Sequence, residues 1–123
     1  MGKKSVLVVE DHELWQKFLA DHMREIDADM TLARDYGEGM QALSKGGHDL
    51  LVFDNTLLDI ANASVDLIQA AHRFRSEAPI IVFSADLPSE TQRVVEALGA
   101  VYANKTERHQ VTFRESVQRL LGM

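Results

Sequence analysis

The sequence of 123 residues predicts an α/β fold in which helices cover both faces of a doubly wound, five-stranded parallel sheet. Two observations support this prediction. Three short segments are almost continuously apolar, as expected for strands buried on both faces: Ser5–Val9, Asp49–Phe53 and Ile80–Phe83. Between and after these segments, apolar residues recur at spacings of three and four, which is typical of amphipathic helices. Right-handed crossovers with short connections then favour helices on both faces of one sheet.

The first half of the chain contains three predicted strands and two predicted helices. After the strand Ser5–Val9, a helix is indicated by apolar residues that share one face: Leu14, Trp15, Phe18, Leu19, His22, Met23 and Ile26. Met30–Ala33 predicts a weaker strand, and Gly37–Ser44 predicts a short helix that ends at Gly46. Asp49–Phe53 is then the next buried strand.

The second half begins with a predicted loop, Asn55–Ala63, after which Ser64 is expected to cap a helix. The inward side of this helix is expected to carry four residues: Val65, Ile68, Ala71 and Phe74. Pro79 then precedes the strongly apolar strand Ile80–Phe83.

The remaining elements repeat the same alternation. Pro88 begins a helix that ends at Gly99, and Val101–Ala103 forms a last short strand. A terminal helix is indicated by four apolar residues: Phe113, Val117, Leu120 and Leu121. Strand and helix thus alternate five times, and we expect one domain that spans residues 1–123.

Composition narrows the possible functions. The chain has no cysteine, which excludes disulfides, thiolate metal sites and a cysteine nucleophile, and which fits the reducing cytoplasm where we expect the protein. The net charge of −6 should repel a phosphate backbone, so we expect no direct binding to nucleic acid. The apolar run Val6–Val9 is too short for membrane insertion.

Polar side chains with useful chemistry follow the predicted strands. Glu10 and Asp11 follow the first strand, Asp54 the third, Ser84 the fourth and Lys105 the fifth. Because ligands of such sheets bind beyond the carboxyl ends of the strands, we expect three carboxylates, a hydroxyl and an ammonium to share a small volume there.

This set of side chains indicates phosphoryl chemistry that depends on a metal ion. Crowded carboxylates require a compensating cation, and oxygen ligands favour Mg²⁺ or Mn²⁺ over zinc. The metal would reduce the repulsion between a carboxylate nucleophile, Asp54, and an incoming phosphoryl group. Ser84 and Lys105 would then bind the phosphoryl oxygens.

Four segments carry a family resemblance. They are VLVVED (Val6–Asp11), DLLVFD (Asp49–Asp54), PIIVFSA (Pro79–Ala85) and GAVYANK (Gly99–Lys105). Together, in this order and at these spacings, they resemble the receiver domains of two-component response regulators over nearly the whole chain. The resemblance implies the flavodoxin-like (βα)5 receiver fold, with strand order 2-1-3-4-5.

The resemblance also implies roles for the acidic residues. Asp54 resembles the phosphoacceptor, and Asp11 would hold the metal directly while Glu10 would do so through water. Thr56 matches the position whose backbone carbonyl completes the metal site.

Switching and partners are likewise implied by the resemblance. Ser84 matches the switch hydroxyl, Lys105 the lysine that pairs with the phosphoryl group, and Tyr102 the aromatic residue whose rotamer follows the switch. The phosphoryl donor would be a sensor histidine kinase or a histidine phosphotransfer protein. A downstream protein target would bind the face formed by the helix after Pro88, the strand with Tyr102 and the last helix. No enzymatic activity is expected beyond self-phosphorylation and autodephosphorylation.

The segment after the proposed phosphoacceptor departs from the family pattern. Leu58 stands where the family commonly has proline, and the segment from Asp59 to Ser64 is about two residues longer than usual. We also expect the side chains of Thr56 and Asp86, which flank the site, to tune hydrolysis of the acyl phosphate.

Two other functions stay open at this point. The unusual loop is compatible with a pseudo-receiver, which would bind partners without being phosphorylated. A phosphatase of the haloacid dehalogenase type also has an aspartate after an apolar strand, but it needs a second aspartate where this chain has Thr56. Whether the chain is a lone receiver or an excised domain is also open.

Overall fold

The structure is a computed structural model, and it describes residues 3–57, 60–85, 87–106 and 111–123. Five parallel strands form one sheet in the order β2-β1-β3-β4-β5. The strands are β1 (Ser5–Val9), β2 (Asp29–Ala33), β3 (Leu50–Phe53), β4 (Ile80–Ser84) and β5 (Val101–Asn104). The helices are α1 (Glu13–Glu25), α2 (Tyr36–Lys45), α3 (Ala63–Arg73), α4 (Ser89–Ala97) and α5 (Val111–Leu120). The predicted fold class and strand order are therefore confirmed.

Two cores lie on opposite faces of the sheet, because neighbouring side chains of a strand point to opposite sides. One core contains Leu7 and Val9 of β1 and is covered by buried side chains of α2, α3 and α4: Leu43, Leu67, Ile68 and Val95. The other contains Val6 and Val8 and is covered by α1 and α5 through further buried side chains: Leu19, Met23, Phe113 and Val117. Burial on both faces explains why β1, β3 and β4 are continuously apolar.

The predicted elements are all present, and each strand bound and both bounds of the helix Gly37–Ser44 lie within one residue of the observed bound. The helix predicted to begin at Pro88 and end at Gly99 is observed as Ser89–Ala97, so its end lies two residues earlier than predicted. The largest helix, α1, has 13 residues. Across the ranges given above, no helix is both long enough and apolar enough to cross a membrane.

Two side chains predicted to face the core are exposed. Leu14 is 73% exposed because it lies nine positions before the buried Met23, which is about two and a half helical turns and hence the opposite side of α1. Phe74 is 45% exposed because α3 ends at Arg73, so the helical periodicity no longer applies to it.

The start of α3 also differs from the prediction. Asn62, not Ser64, occupies the capping position, and Asn62 has a left-handed backbone with φ of 57°. Ser64 lies inside the first turn, fully buried, where its hydroxyl donates a hydrogen bond to the side chain of Asn55. Three residues of the predictions above, Leu58, Asp59 and Asp86, lie outside the described residues.

Candidate functional site

The strand ends converge as the parallel topology requires. Val9 pairs with Phe53 across β1 and β3, and Ser84 pairs with Asn104 across β4 and β5. Asp54, which follows Phe53, and Lys105, which follows Asn104, both line one cleft of about 250 Å³. The cleft is lined by Asp11, His12, Trp15, Asp54, Thr56, Ser84, Ala85 and Lys105. Five of the seven predicted site residues therefore line a single cleft.

Three carboxylates form the acidic part of this site. One oxygen from each of Glu10, Asp11 and Asp54 lies within 4.8 Å of the others. Glu10 is 1% exposed and Asp54 is 8% exposed, whereas Asp11 is half-buried at the mouth of the cleft. Such a set of oxygen donors fits a hard divalent cation such as Mg²⁺ or Mn²⁺.

Lys105 is the cation that this structure places among the carboxylates. Its Nζ donates to Glu10 Oε1 at 2.5 Å and lies 3.3 Å from Asp54 Oδ2. The ammonium also lies 5.2 Å from the ring centroid of Trp15 and 5.7 Å from that of Phe83, close enough for cation–π attraction. Trp15, which the sequence predicted on the apolar face of the first helix, thus also contributes to the site.

Glu10 is anchored at the base of the site. Its Oε2 accepts a hydrogen bond from the backbone N–H of His12 at 3.1 Å, and its carbonyl accepts one from Gln16 Nε2 at 2.8 Å. Burial is the main reason why the pKa of Glu10 is raised from 4.5 to about 7. The Lys105 ammonium opposes this rise in pKa, and the nearby Asp54 charge adds to it. Without a further cation, Glu10 therefore ionises only near neutral pH.

The predicted switch residues are connected through the backbone. Ser84 is buried, and its carbonyl accepts hydrogen bonds from Lys105 N–H at 3.1 Å and from the Tyr102 hydroxyl at 3.2 Å. Tyr102 is half-buried and does not line the cleft. On the other side of the site, Thr56 N–H lies 3.5 Å from Asp54 Oδ1. The roles of Ser84, Thr56 and Tyr102 stay predictions.

Sequence reasoning missed a set of polar side chains behind the site. Asn55 directly follows Asp54 and is buried. Its Oδ1 accepts a hydrogen bond from Ser64 Oγ at 2.6 Å, and its Nδ2 donates to Asn62 Oδ1 at 3.4 Å. The same Asn62 oxygen accepts a hydrogen bond from Thr91 Oγ1 of α4 at 3.2 Å. The available signal was a polar residue two positions after an apolar strand, followed by Asn62 and Ser64 within ten residues.

No protein-family model and no curated protein matches this chain. Its fold, in contrast, is similar to those of many solved structures. A CheY-like response regulator receiver domain from Methanospirillum hungatei has a TM-score of 0.86 at 19% identity, with 98% of this chain and 95% of that chain covered.

Two further solved structures bear on the site. The receiver domain of a sensor histidine kinase from Pseudomonas aeruginosa has a magnesium ion coordinated in its active-site cleft. This domain is similar to the present chain with a TM-score of 0.77 at 21% identity, and the match covers 99% of this chain and 100% of that chain. The receiver domain of the Saccharomyces cerevisiae response regulator Ssk1, in complex with the histidine phosphotransfer protein Ypd1, has a TM-score of 0.82 at 19% identity, with 98% and 90% covered. This chain therefore has the fold of response-regulator receiver domains.

Proposed function

We propose that this chain is a phosphorelay receiver in which Asp54 accepts a phosphoryl group from a phosphohistidine. The observation that carries the proposal is the meeting of three carboxylates with one buried ammonium at a single cleft, which two of the carboxylates and the ammonium line. A carboxylate at such a site can act as a nucleophile towards phosphorus. The family resemblance of the strand ends supports the same assignment.

In the transfer step, a carboxylate oxygen of Asp54 forms a bond to phosphorus while the bond between phosphorus and the donor imidazole nitrogen breaks. The electron pair of the broken bond stays on the imidazole, which takes up a proton and leaves neutral. Lys105 Nζ already lies 3.3 Å from Asp54 Oδ2, so it is close enough to bind the phosphoryl oxygens after transfer. Ser84, which lines the same cleft, would donate its hydroxyl to the same group.

The donor set fits a bound Mg²⁺ or Mn²⁺. Asp11, Asp54 and the carbonyl of Thr56 would hold the ion directly, and Glu10 would do so through water. Such an ion would supply positive charge that offsets repulsion between the carboxylates and the phosphoryl oxygens. The magnesium ion of the Pseudomonas aeruginosa receiver domain supports this choice of metal.

The signal would leave the site through Ser84. Inward rotation of the Ser84 hydroxyl would shift the position of the Ser84 carbonyl, to which the Tyr102 hydroxyl donates. Tyr102 in turn lies on the proposed partner face, which is formed by α4, β5 and α5. The proposed donors are a sensor histidine kinase or a histidine phosphotransfer protein, and the yeast complex with Ypd1 supports the second. A downstream protein target would read the change.

Intact mass spectrometry tests the proposal. The protein is incubated with Mg²⁺ and acetyl phosphate beside an Asp54→Asn variant and a control, Asp66→Asn, which alters an exposed aspartate of α3. We expect one phosphoryl adduct, labile to hydroxylamine as an acyl phosphate must be, on the native and control proteins only. No adduct under saturating donor would refute the proposal and favour the pseudo-receiver, whereas an adduct that persists in Asp54→Asn would refute the assignment of Asp54.

A further inference from the structure

A chain of hydrogen bonds joins the residue after Asp54 to α4. Asn55 Nδ2 and Thr91 Oγ1 both donate to the same atom, Asn62 Oδ1, at 3.4 and 3.2 Å. Ser64 Oγ holds the other end of the Asn55 side chain at 2.6 Å. We refer to Asn55, Asn62, Ser64 and Thr91 as the asparagine relay.

Backbone hydrogen bonds also hold the segment that follows Asp54. The Asn55 carbonyl accepts a hydrogen bond from Ala63 N–H at 2.8 Å. Leu57 N–H donates to the Ile60 carbonyl at 3.2 Å, and Ile60 N–H donates to the Leu57 carbonyl at 2.8 Å. Thr56 therefore lies between two anchored residues, so the position of its carbonyl depends on both anchors.

Asn62 has a backbone conformation that requires support. Its φ of 57° and ψ of 32° lie in the left-handed region, which residues other than glycine adopt at a cost, although asparagine does so more readily than most. The hydrogen bonds from Asn55 and Thr91 offset that cost. The conformation directs one carboxamide oxygen towards two different elements, the segment after β3 and the first turn of α4.

We propose that the asparagine relay positions the Asp54–Thr56 segment for metal binding and links that segment to α4. The inference rests on the proposed function, because it concerns the same metal site. Thr91 and Asn62 are positioning residues in this scheme, since they act through Asn55 and touch no reacting atom. The link is separate from the contact between Ser84 and Tyr102, which involves other strands. By thermodynamic reciprocity, metal binding at Asp54 must in turn stabilise the first turn of α4.

A titration with Mg²⁺ alone, followed by the fluorescence of Trp15, tests the relay. Trp15 is the only tryptophan of the chain and lines the cleft. Thr91→Val removes the hydroxyl and keeps the shape of the side chain, whereas Thr91→Ser is the matched control that keeps the hydroxyl. We expect Thr91→Val to weaken Mg²⁺ binding about threefold to tenfold. Groups that are hydrogen-bonded to metal ligands typically contribute roughly 10- to 100-fold to metal affinity, and Thr91 acts on the ligands only through Asn62 and Asn55. Thr91→Ser should stay within about twofold of the native protein.

Hydrogen exchange is a second measurement, made first without metal and then with Mg²⁺. Hydrogen exchange at Ala63 N–H, which donates to Asn55, should be faster in Thr91→Val than in Thr91→Ser. Exchange at Val52, in the middle of the buried strand β3, should be unchanged and shows that the fold is intact. In the native protein, Mg²⁺ should slow exchange at Gln92 N–H in the first turn of α4, and this effect should be lost in Thr91→Val.

A second variant covers the case in which Thr91→Val fails to fold. Asn62→Gly keeps a residue that tolerates the positive φ and removes the shared acceptor, so it should weaken Mg²⁺ binding by a similar factor. The double variant should bind Mg²⁺ no more weakly than Asn62→Gly alone, because both changes break the same connection.

The outcomes separate this inference from the proposed function. If Thr91→Val and Thr91→Ser bind Mg²⁺ equally well, or equally poorly, the hydroxyl does not matter and the relay is refuted even though the native protein is phosphorylated. If the native protein neither binds Mg²⁺ nor forms an adduct, the proposed function fails and the relay fails with it.

Discussion

Replacement of Glu10 by glutamine in the metal-free protein should change how stability depends on pH. Glu10 is almost wholly buried, and glutamine preserves its shape while it removes the ionisable group. The raised pKa of Glu10 means that the folded chain holds a proton on this carboxyl at pH values where the unfolded chain has lost it. The glutamine side chain resembles that protonated form at every pH.

The size of the effect follows from the two pKa values. Stability that Glu10 contributes is fully present below its unfolded pKa of 4.5 and is lost as pH rises through the folded pKa of about 7. At roughly 1.4 kcal/mol for each pH unit, the interval corresponds to about 3 kcal/mol. Solvent screens little of this, because the side chain is buried. The free energy of unfolding of Glu10→Gln should therefore gain about 3 kcal/mol relative to the native protein between pH 4.5 and pH 8.

Urea unfolding in the presence of a chelator, at pH 5, 6, 7 and 8, measures this difference. Glu77→Gln changes an exposed glutamate between α3 and β4 and should run parallel to the native protein over the whole range. Added Mg²⁺ should stabilise the native protein at pH 8 more than it stabilises Glu10→Gln, because the native site has three carboxylates and the site of the variant has two. A constant difference between native and Glu10→Gln from pH 5 to pH 8 would show that burial does not raise the pKa of Glu10.

Three further predictions concern stability away from the site. Burial, with the nearby Arg114 charge, lowers the pKa of His22. Acidification therefore protonates the unfolded chain first, and stability is lost as pH falls below about 6.5. In urea unfolding, His22→Leu should lose less stability between pH 7.5 and pH 5 than the native protein or a control variant at the exposed His72. Gly39→Ala should destabilise by roughly 1–3 kcal/mol, because its Cβ would lie 3.1 Å from a buried valine of β1. Gly37→Ala in the same helix meets nothing closer than 3.4 Å and should stabilise by about 0.5–1 kcal/mol, so equal melting temperatures for the two variants would contradict this packing argument. Asp35→Ala removes the side chain that accepts from the N–H of Glu38 at 2.8 Å at the start of α2, and thermal unfolding should show a loss of about 1 kcal/mol.

The parts of the site that follow from topology could be predicted from the sequence. Three apolar strands buried on both faces indicate parallel strands, because a buried parallel sheet requires helical crossovers, and the family resemblance implied the order of the strands. Once the strands are placed, Glu10 and Asp54 must follow adjacent strands at the same edge. Lys105 reaches the same edge because β5 lies next to β4, whose last residue is Ser84.

The parts that depend on the ends of elements could not be predicted in this way. Helical periodicity placed Leu14 and Phe74 on buried faces, but it does not say where a helix begins or ends relative to the sheet. The Asn55 side chain is held by hydrogen bonds that it donates to Asn62 and accepts from Ser64, and such bonds leave no periodic signal. The position of Lys105 Nζ against Glu10 likewise depends on rotamers rather than on sequence spacing.

The charge balance of the cleft connects these points to the proposed switch. Among the described residues, Lys105 is the ammonium that contacts both Glu10 and Asp54, and the raised pKa of Glu10 indicates that one ammonium does not fully offset the burial of its carboxylate. A phosphoryl group on Asp54 would add negative charge to the same volume and would compete with Glu10 for Lys105. If Lys105 turns towards the phosphoryl group, Glu10 loses its partner and must either keep its proton or share a divalent cation with Asp11. Metal binding and the movement of Lys105 are therefore expected to be coupled, and Glu10 is the residue through which the two would be linked.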